Sequence, residues 1–364
     1  MKAYVGLDAH SKRSVFVIAN AQGEVIGRGD VPTTPAGLAT LRTEHQVAAG
    51  TPVALESGTV AFFVARQLAA LELAPVVIDA HEVRLKAYRP QHKSDRRDAQ
   101  ELCEGLRRGT YRTRIHVPPP PIAALREVLS RRRHFVRMQT AEILAAKRLL
   151  RADGLGHLSR CLRSDVGWTK LHATVAERPE LARYIELHHA VWRAAHAQVL
   201  ALDDQLAPTA APCGDALRRL QTIPGVGPIV ALTALAVFSD ATRFPSAKHA
   251  ASYAGLVPST YQSGDRDAHG RITKRGSAEL RAMACESAHH ARNVRHPLHP
   301  YLSALTARRG HKVAIVAVAH RLCRIMYAML RDGTDFDVAQ LGVEIGPFTR
   351  TTKRYYRLKP VRRR

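Results

Sequence analysis

The stretch AYVGLDAHSKRSVFVIANAQGEVIGRGDV, residues 3–31, decides how the first part of the chain folds. Its apolar residues fall in short runs, 4–7 and 14–19, and a third run at 24–28 follows a turn at 20–23. Runs this short, punctuated by polar residues, predict three strands of a β-meander. Asp8 stands at the end of the first strand.

Outward from the meander, the pattern predicts a helix over 36–49, a strand over 53–55 ending in Glu56, a helix over 59–73 and a strand over 75–78. Strands that alternate with helices imply parallel α/β packing. VPPPP at 117–121 cannot continue a helix, because proline lacks the N–H and clashes with the preceding turn. A first domain over 1–117 is therefore expected. Residues 122–210 are rich in Ala, Leu, Arg and His, with Leu125, Leu129, Met138, Ile143 and Leu149 at helical spacing, which predicts long helices and a paired-helix arm. A second compact unit is expected over 217–340, mainly helical, with glycine-rich turns at PGVGP and SGDRDAHG. The last fifteen residues, 350–364, hold eight basic side chains and no acid, and read as a mobile basic tail.

The 364 residues carry 55 Lys and Arg against 31 Asp and Glu, net +24, which favours a polyanionic partner. The excess is uneven: residues 1–90 are close to neutral at +1, and the rest carry +23. Neither a secretory signal nor an apolar run of membrane-spanning length (roughly 18 to 20 residues) is evident, so no membrane partner and a cytoplasmic, nucleoid-associated place are expected. Five scattered cysteines form no C-x-x-C pair and read as reduced thiols. The histidine pairs His188 and His189, and His289 and His290, lie in helical stretches without a legible ligand triad and read as surface or packing residues.

Four carboxylates stand out. Asp8 and Glu56 each end a strand, and parallel pairing would set them side by side. Asp95 and Asp98, in HKSDRRDAQEL at 92–102, are three apart and share a helix face. Singly, each reads as a cap or a solvated charge. Together they form a set that like-charge repulsion makes costly without cations, and all-oxygen donors favour Mg²⁺ or Mn²⁺. Two such ions can flank a phosphate for strand cleavage. Lys93, Arg96 and Arg97 around the aspartates suit the nucleic acid itself.

LQTIPGVGPIVALTAL at 220–235 is similar to a helix-hairpin-helix, in which Gly225 and Gly227 would let backbone N–H groups approach a phosphate; it reads equally as a tight turn between helices. Downstream, Ser263 precedes a glycine in a polar stretch, and Arg271, Lys274, Arg275 and Arg281 follow. A serine beside cations suits attack on phosphate once a base or metal activates it.

These motifs carry a resemblance. The meander with its acids resembles the ribonuclease-H-like fold of the RuvC resolvase. GLDAHSK, ALESG and KSDRRDA look like the Asp, Glu, Asp, Asp motifs of one transposase family. TYQSG, with AGLVP before it and GRITKRG after it, resembles the serine motif of the insertion-sequence family numbered one hundred and ten, which includes the pilin-gene invertase. The likeness extends through IPGVGP and the His296, Pro297, Tyr301 set to KVAIVAVAHRLCRIMYAML at 312–330.

The resemblance implies a RuvC-like first domain holding Mg²⁺ (or Mn²⁺) at Asp8, Glu56, Asp95 and Asp98, a coiled-coil-like arm for oligomerisation, and a C-terminal domain whose Ser263 links covalently to DNA. It also implies donor and target DNA as partners, with an element-encoded guide RNA, and a homodimer or tetramer in which serine and carboxylates meet in one composite site. Three other readings stay open: a metal-only nuclease of the resolvase type in which Ser263 is a loop residue, a non-catalytic DNA-binding regulator, and a sugar-kinase or actin-like ATPase, whose first hairpin VGLDAHSK also resembles. The basic excess and the lack of a second phosphate-binding glycine loop weigh against the last.

Overall fold

The computed structural model describes residues 2–86, 94–160, 162–263 and 266–341, with backbone alone for 260–263 and 266–269. The chain divides into two units, 1–118 and 119–364.

In the first unit β1 (Ala3–Ala9), β2 (Arg13–Asn20) and β3 (Val25–Pro32) form the expected antiparallel meander. After α1 (Pro35–Thr43), β4 (Pro52–Glu56) pairs parallel with β1; after α2 (Ala61–Ala70), β5 (Ala74–Ile78) pairs parallel with β4. The sheet order is β3-β2-β1-β4-β5. Strand alternation sorts the side chains into two layers. Val5, Leu7, Phe16, Ile18, Val53 and Leu55 pack with residues of α1 and α2 on one face. On the other face, after α3 (Ala80–Lys86), lies α4 (Asp95–Arg107), whose Ala99 and Cys103 pack with Val17 and Ala19 while Leu102 packs with Ala54 and Ile78.

α1 differs from the expectation by stopping at Thr43 instead of running to 49. Gln46 has φ 52°, which no helix continues through, and the turn carries Val47 back into the core.

The second unit opens with α5 (Pro120–Ala152), a helix of 33 residues that begins inside the proline run, where a missing N–H costs nothing. α6 (Asp165–Val175) and α7 (Pro179–Ala210) follow. Arg132 grips Asp203 at 2.5 and 3.3 Å, Glu142 meets His188 at 2.6 Å and Gln139 meets His196 at 2.9 Å, forming rungs between α5 and α7. Trp168, Leu171, Ile185, Trp192, Ala146 and Leu150 pack where α6 sits against the pair.

Beyond it come α8 (Gly214–Leu220), α9 (Pro228–Phe238), α10 (Ala247–Tyr253), the hairpin β6 (Pro258–Ser263) with β7 (Arg266–Ile272), and then α11 (Ala278–Ala288), α12 (His299–Arg309) and α13 (His311–Asp332). α9 is apolar on every side and lies inside a core shared with α13. By length and composition α13 is apolar enough to cross a membrane, which the expectation of no such stretch missed. Ala314, Val318, Ala319, Leu322 and Met326 spend its apolar face on the interior core. The hairpin replaces the polar loop expected around Ser263. Among the described residues its strands pair only with each other.

Among the described residues Cys103, Cys213, Cys285 and Cys323 are free thiols; Cys103 and Cys323 are buried, and burial pushes the Cys103 thiol up to about 11. The predicted basic tail at 350–364 and Lys93 lie outside the described residues.

Candidate active site

The pairing of β1 with β4 runs Val5–Val53, Gly6–Ala54, Leu7–Leu55. Asp8 and Glu56 are each the next residue, so two carboxylates leave adjacent strands at their carboxyl ends. Because Leu7 and Leu55 point into the α1/α2 core, alternation turns Asp8 and Glu56 to the α4 face.

Gly6 lets α4 close on that face. A Cβ at Gly6 would overlap the Ala99 carbonyl oxygen and the Cys103 amide, and would stand 2.9 Å from Cys103 Cα. Only glycine allows so close an approach of strand and helix. One turn before Ala99, the first turn of α4 carries Asp95 and Asp98, a place where the helix dipole favours acids. Arg96 and Arg97 lie on the same turn, exposed and rotated away from the aspartates.

His10 completes the cluster. Its Nε2 stands 3.0 Å from Asp8 Oδ2 and 3.6 Å from Asp95 Oδ1. Ligand atoms of Asp8, His10 and Asp95 lie within 4.8 Å of one another, a group that does not include Glu56 or Asp98. Burial pushes the Asp8 carboxyl above its ordinary range; His10 opposes that shift, and the charges of Asp98 and Asp95 add to it. Sequence reading passed over His10, although the i, i+2 spacing in Asp-Ala-His was a usable signal: two residues along a strand return to the same face. The donor chemistry fits a divalent cation, since two carboxylates that repel one another are held beside a ring nitrogen.

In the second unit, β6 pairs with β7 through Gln262–Asp267 and Ser263–Arg266, placing Ser263 at the last paired position of β6. Arg271 lies in β7, and Lys274 and Arg275 follow it, both exposed, Lys274 with φ 55°. Arg281 is used differently: its guanidinium donates to the carbonyls of Ala254 at 3.0 Å and Lys274 at 3.2 Å, anchoring the turn that presents those two cations.

The IPGVGP turn bends at Gly225, φ 79°, where a Cβ would stand 2.7 Å from His290 Cβ. Gly227 is the N-cap of α9. Ser287 Oγ donates to Gly225 O at 2.9 Å, and buried His296 donates from Nε2 to Pro224 O at 3.0 Å while Nδ1 accepts from Leu298 N. Burial holds His296 below its ordinary pKa, so the neutral ring is locked in that tautomer.

Comparison with known proteins draws both units together. Residues 5–152 match a family described as Transposase, the DEDD type of IS110 elements, and residues 217–303 match one described as Transposase IS116/IS110/IS902 family. The chain is 30% identical over 295 residues to the "Probable family 20 transposase" of Pseudomonas aeruginosa, covering 76% of this chain and 83% of that one. It is 27% identical over 254 residues to the transposase for insertion sequence element IS1111A of Coxiella burnetii, covering 68% and 69%. With the pilin gene-inverting protein of Moraxella lacunata it shares 36% over 121 residues, 32% of this chain and 38% of the relative.

Proposed function

The chain belongs to the IS116/IS110/IS902 family of transposases and is a DNA transposase or recombinase, and from that premise we propose how its residues divide the work of cutting and rejoining DNA strands. The first unit is a ribonuclease-H/RuvC-like domain, a reading supported by a meander continued by two parallel strands with α4 laid across them. Asp8, Glu56, Asp95 and Asp98 would hold Mg²⁺ or Mn²⁺, which polarises the phosphate and stabilises the charge that develops on it. The observation that carries this is the meeting of Asp8 and Asp95 through His10 at the carboxyl end of β1.

Ser263 is the nucleophile in this reading. Its Oγ–P bond forms as the bond from phosphorus to the leaving strand oxygen breaks, and the serine proton passes to a base or solvent. A hydroxyl of the second strand then attacks phosphorus and releases the serine. Phosphodiester bonds are exchanged one for one, so no external energy source is needed. Arg271, within β7, and Lys274 and Arg275, which follow it, would offset charge on the phosphate or bind the strand backbone; Gly225 and Gly227 would present backbone N–H groups to another phosphate.

An RNA encoded by the element would pair with donor and target DNA, and the +23 beyond residue 90 accommodates both polyanions. The protein would act in the cytoplasm, on nucleoid DNA. It would work as a homodimer or tetramer joined through α7, where Tyr184, Leu187 and Val191 expose 49%, 56% and 41% of their surface at i, i+3, i+7 spacing.

The test is covalent trapping. Protein, RNA transcribed from the element's flank and labelled donor DNA are incubated with Mg²⁺ and denatured. The expected result is labelled protein with wild type and none with Ser263→Ala or Asp95→Ala. Cleavage without an adduct, undiminished in Ser263→Ala, would replace this scheme with the metal-only nuclease.

A further inference from the structure

A second ligand cluster lies in the second unit, where α6 packs on α7. Glu186 and His189 are three apart on α7 and share a face, and His172 meets them from α6. His172 Nε2 stands 2.9 Å from His189 Nδ1 and 3.2 Å from Glu186 Oε2. All three ligand atoms lie within 4.8 Å of one another. We propose that His172, Glu186 and His189 bind one zinc-class divalent cation, which clasps α6 to α7.

The spacing suits such an ion. Zn–N and Zn–O bonds of about 2.0 to 2.2 Å in a tetrahedron place ligand atoms roughly 3.3 Å apart, close to the 2.9 and 3.2 Å measured from His172 Nε2. Two imidazoles and one carboxylate form a borderline-soft set suited to Zn²⁺, Co²⁺ or Ni²⁺, in contrast to the carboxylate-rich site for which Mg²⁺ is proposed. With Glu186 more than half exposed, a fourth position stays open to water or an incoming group.

His189 supplies an independent indication. It is 4% exposed, stacked on Trp168 at 4.9 Å with 3° between the rings, and its Nε2 is buried with no hydrogen-bond partner. Asp165 Oδ1 stands 3.8 Å away, too far for a hydrogen bond. A cation on Nδ1 would fix the proton on Nε2 and make it a stronger donor toward Asp165, the carboxylate–histidine–metal arrangement of many zinc sites. Arg193 Nη2, 3.3 Å from Nδ1, competes for that lone pair, but its side chain is exposed and can turn to solvent.

The decisive experiment uses full-length protein stripped with EDTA, carrying Asp8→Asn and Asp95→Asn so that the first site loses two of its four carboxylates. Titrated with Co²⁺, it should develop the intense visible absorption of four-coordinate cobalt at about one ion per chain, and Zn²⁺ should raise its Tm by about 3 °C or more. Adding His172→Ala or Glu186→Gln should abolish the absorption and the shift. If His172→Ala does not fold by circular dichroism, Glu186→Gln, altering an exposed side chain, decides alone. Absorption or Tm shifts unchanged by these substitutions, or no binding at all, would reduce the cluster to a hydrogen-bonded histidine pair and overturn the proposal.

Discussion

Gly6→Ala tests whether the approach of α4 to β1 sets the carboxylates. The added methyl meets backbone, the Ala99 carbonyl oxygen and the Cys103 N and Cα, and none of these can rotate aside. Restoring ordinary contact with Cys103 Cα alone, from 2.9 Å to at least 3.4 Å, moves the helix by roughly 0.5 Å, and the tighter overlaps demand more. Overpacking of this kind costs about 1–3 kcal/mol, against a gain of roughly 0.5–1 kcal/mol from replacing glycine within a strand. The net loss expected is up to about 2.5 kcal/mol, read as a Tm drop of several degrees that leaves the protein folded at assay temperature. Activity should suffer more, because Asp95 and Asp98 ride on the displaced helix and a misplacement of about 1 Å can cost 10²-fold. The assay is Mg²⁺-dependent cleavage of labelled donor DNA, with circular dichroism melts on the same samples. Wild-type cleavage and wild-type Tm together would refute the claim that glycine at position 6 holds the site.

Three further outcomes are expected. Burial raises the Asp8 pKa in the folded state, so the stability linked to its neutral form is complete below the unfolded value of about 3.9 and is lost as pH rises through the folded pKa; Asp8→Asn should therefore raise Tm in EDTA at pH 7, with little effect at pH 3, while abolishing cleavage, and a lower Tm at pH 7 would contradict this. His10→Ala removes the ring 3.0 Å from Asp8 and should raise the Mg²⁺ concentration for half-maximal cleavage about 10- to 100-fold, so an unchanged metal titration would exclude a positioning role. Leu187→Glu with Val191→Glu should shift the mass measured by light scattering toward monomer without changing helicity, and an unaltered mass would remove α7 from the subunit contact.

Much of the first unit was legible because its signals are local. The three short runs of 3–31, the strand ends at Asp8 and Glu56 and the i, i+3 pair Asp95 and Asp98 follow from periods of two and 3.6 residues, and all appear in the structure. The end of α1 was not, because the positive φ at Gln46 is set by how Val47 reaches the core. The hairpin bearing Ser263 was read as a loop, since its strands, PSTYQS and RDAHGRI, are short and polar in sequence. α13 is apolar by its sequence, and only its neighbours in the core account for that composition.

The sequence by itself determined the family and the order of the five strands of the first unit, since both depend on residue types at short spacing. Tertiary structure decided what those residues touch. It brought His10 between Asp8 and Asp95, across 85 positions of chain, through an approach that a single glycine permits. It also turned His189, by sequence a surface or packing histidine, toward His172 and Glu186. Contacts between distant segments depend on how helices and strands pack, and local periodicity records only which face of each element is buried.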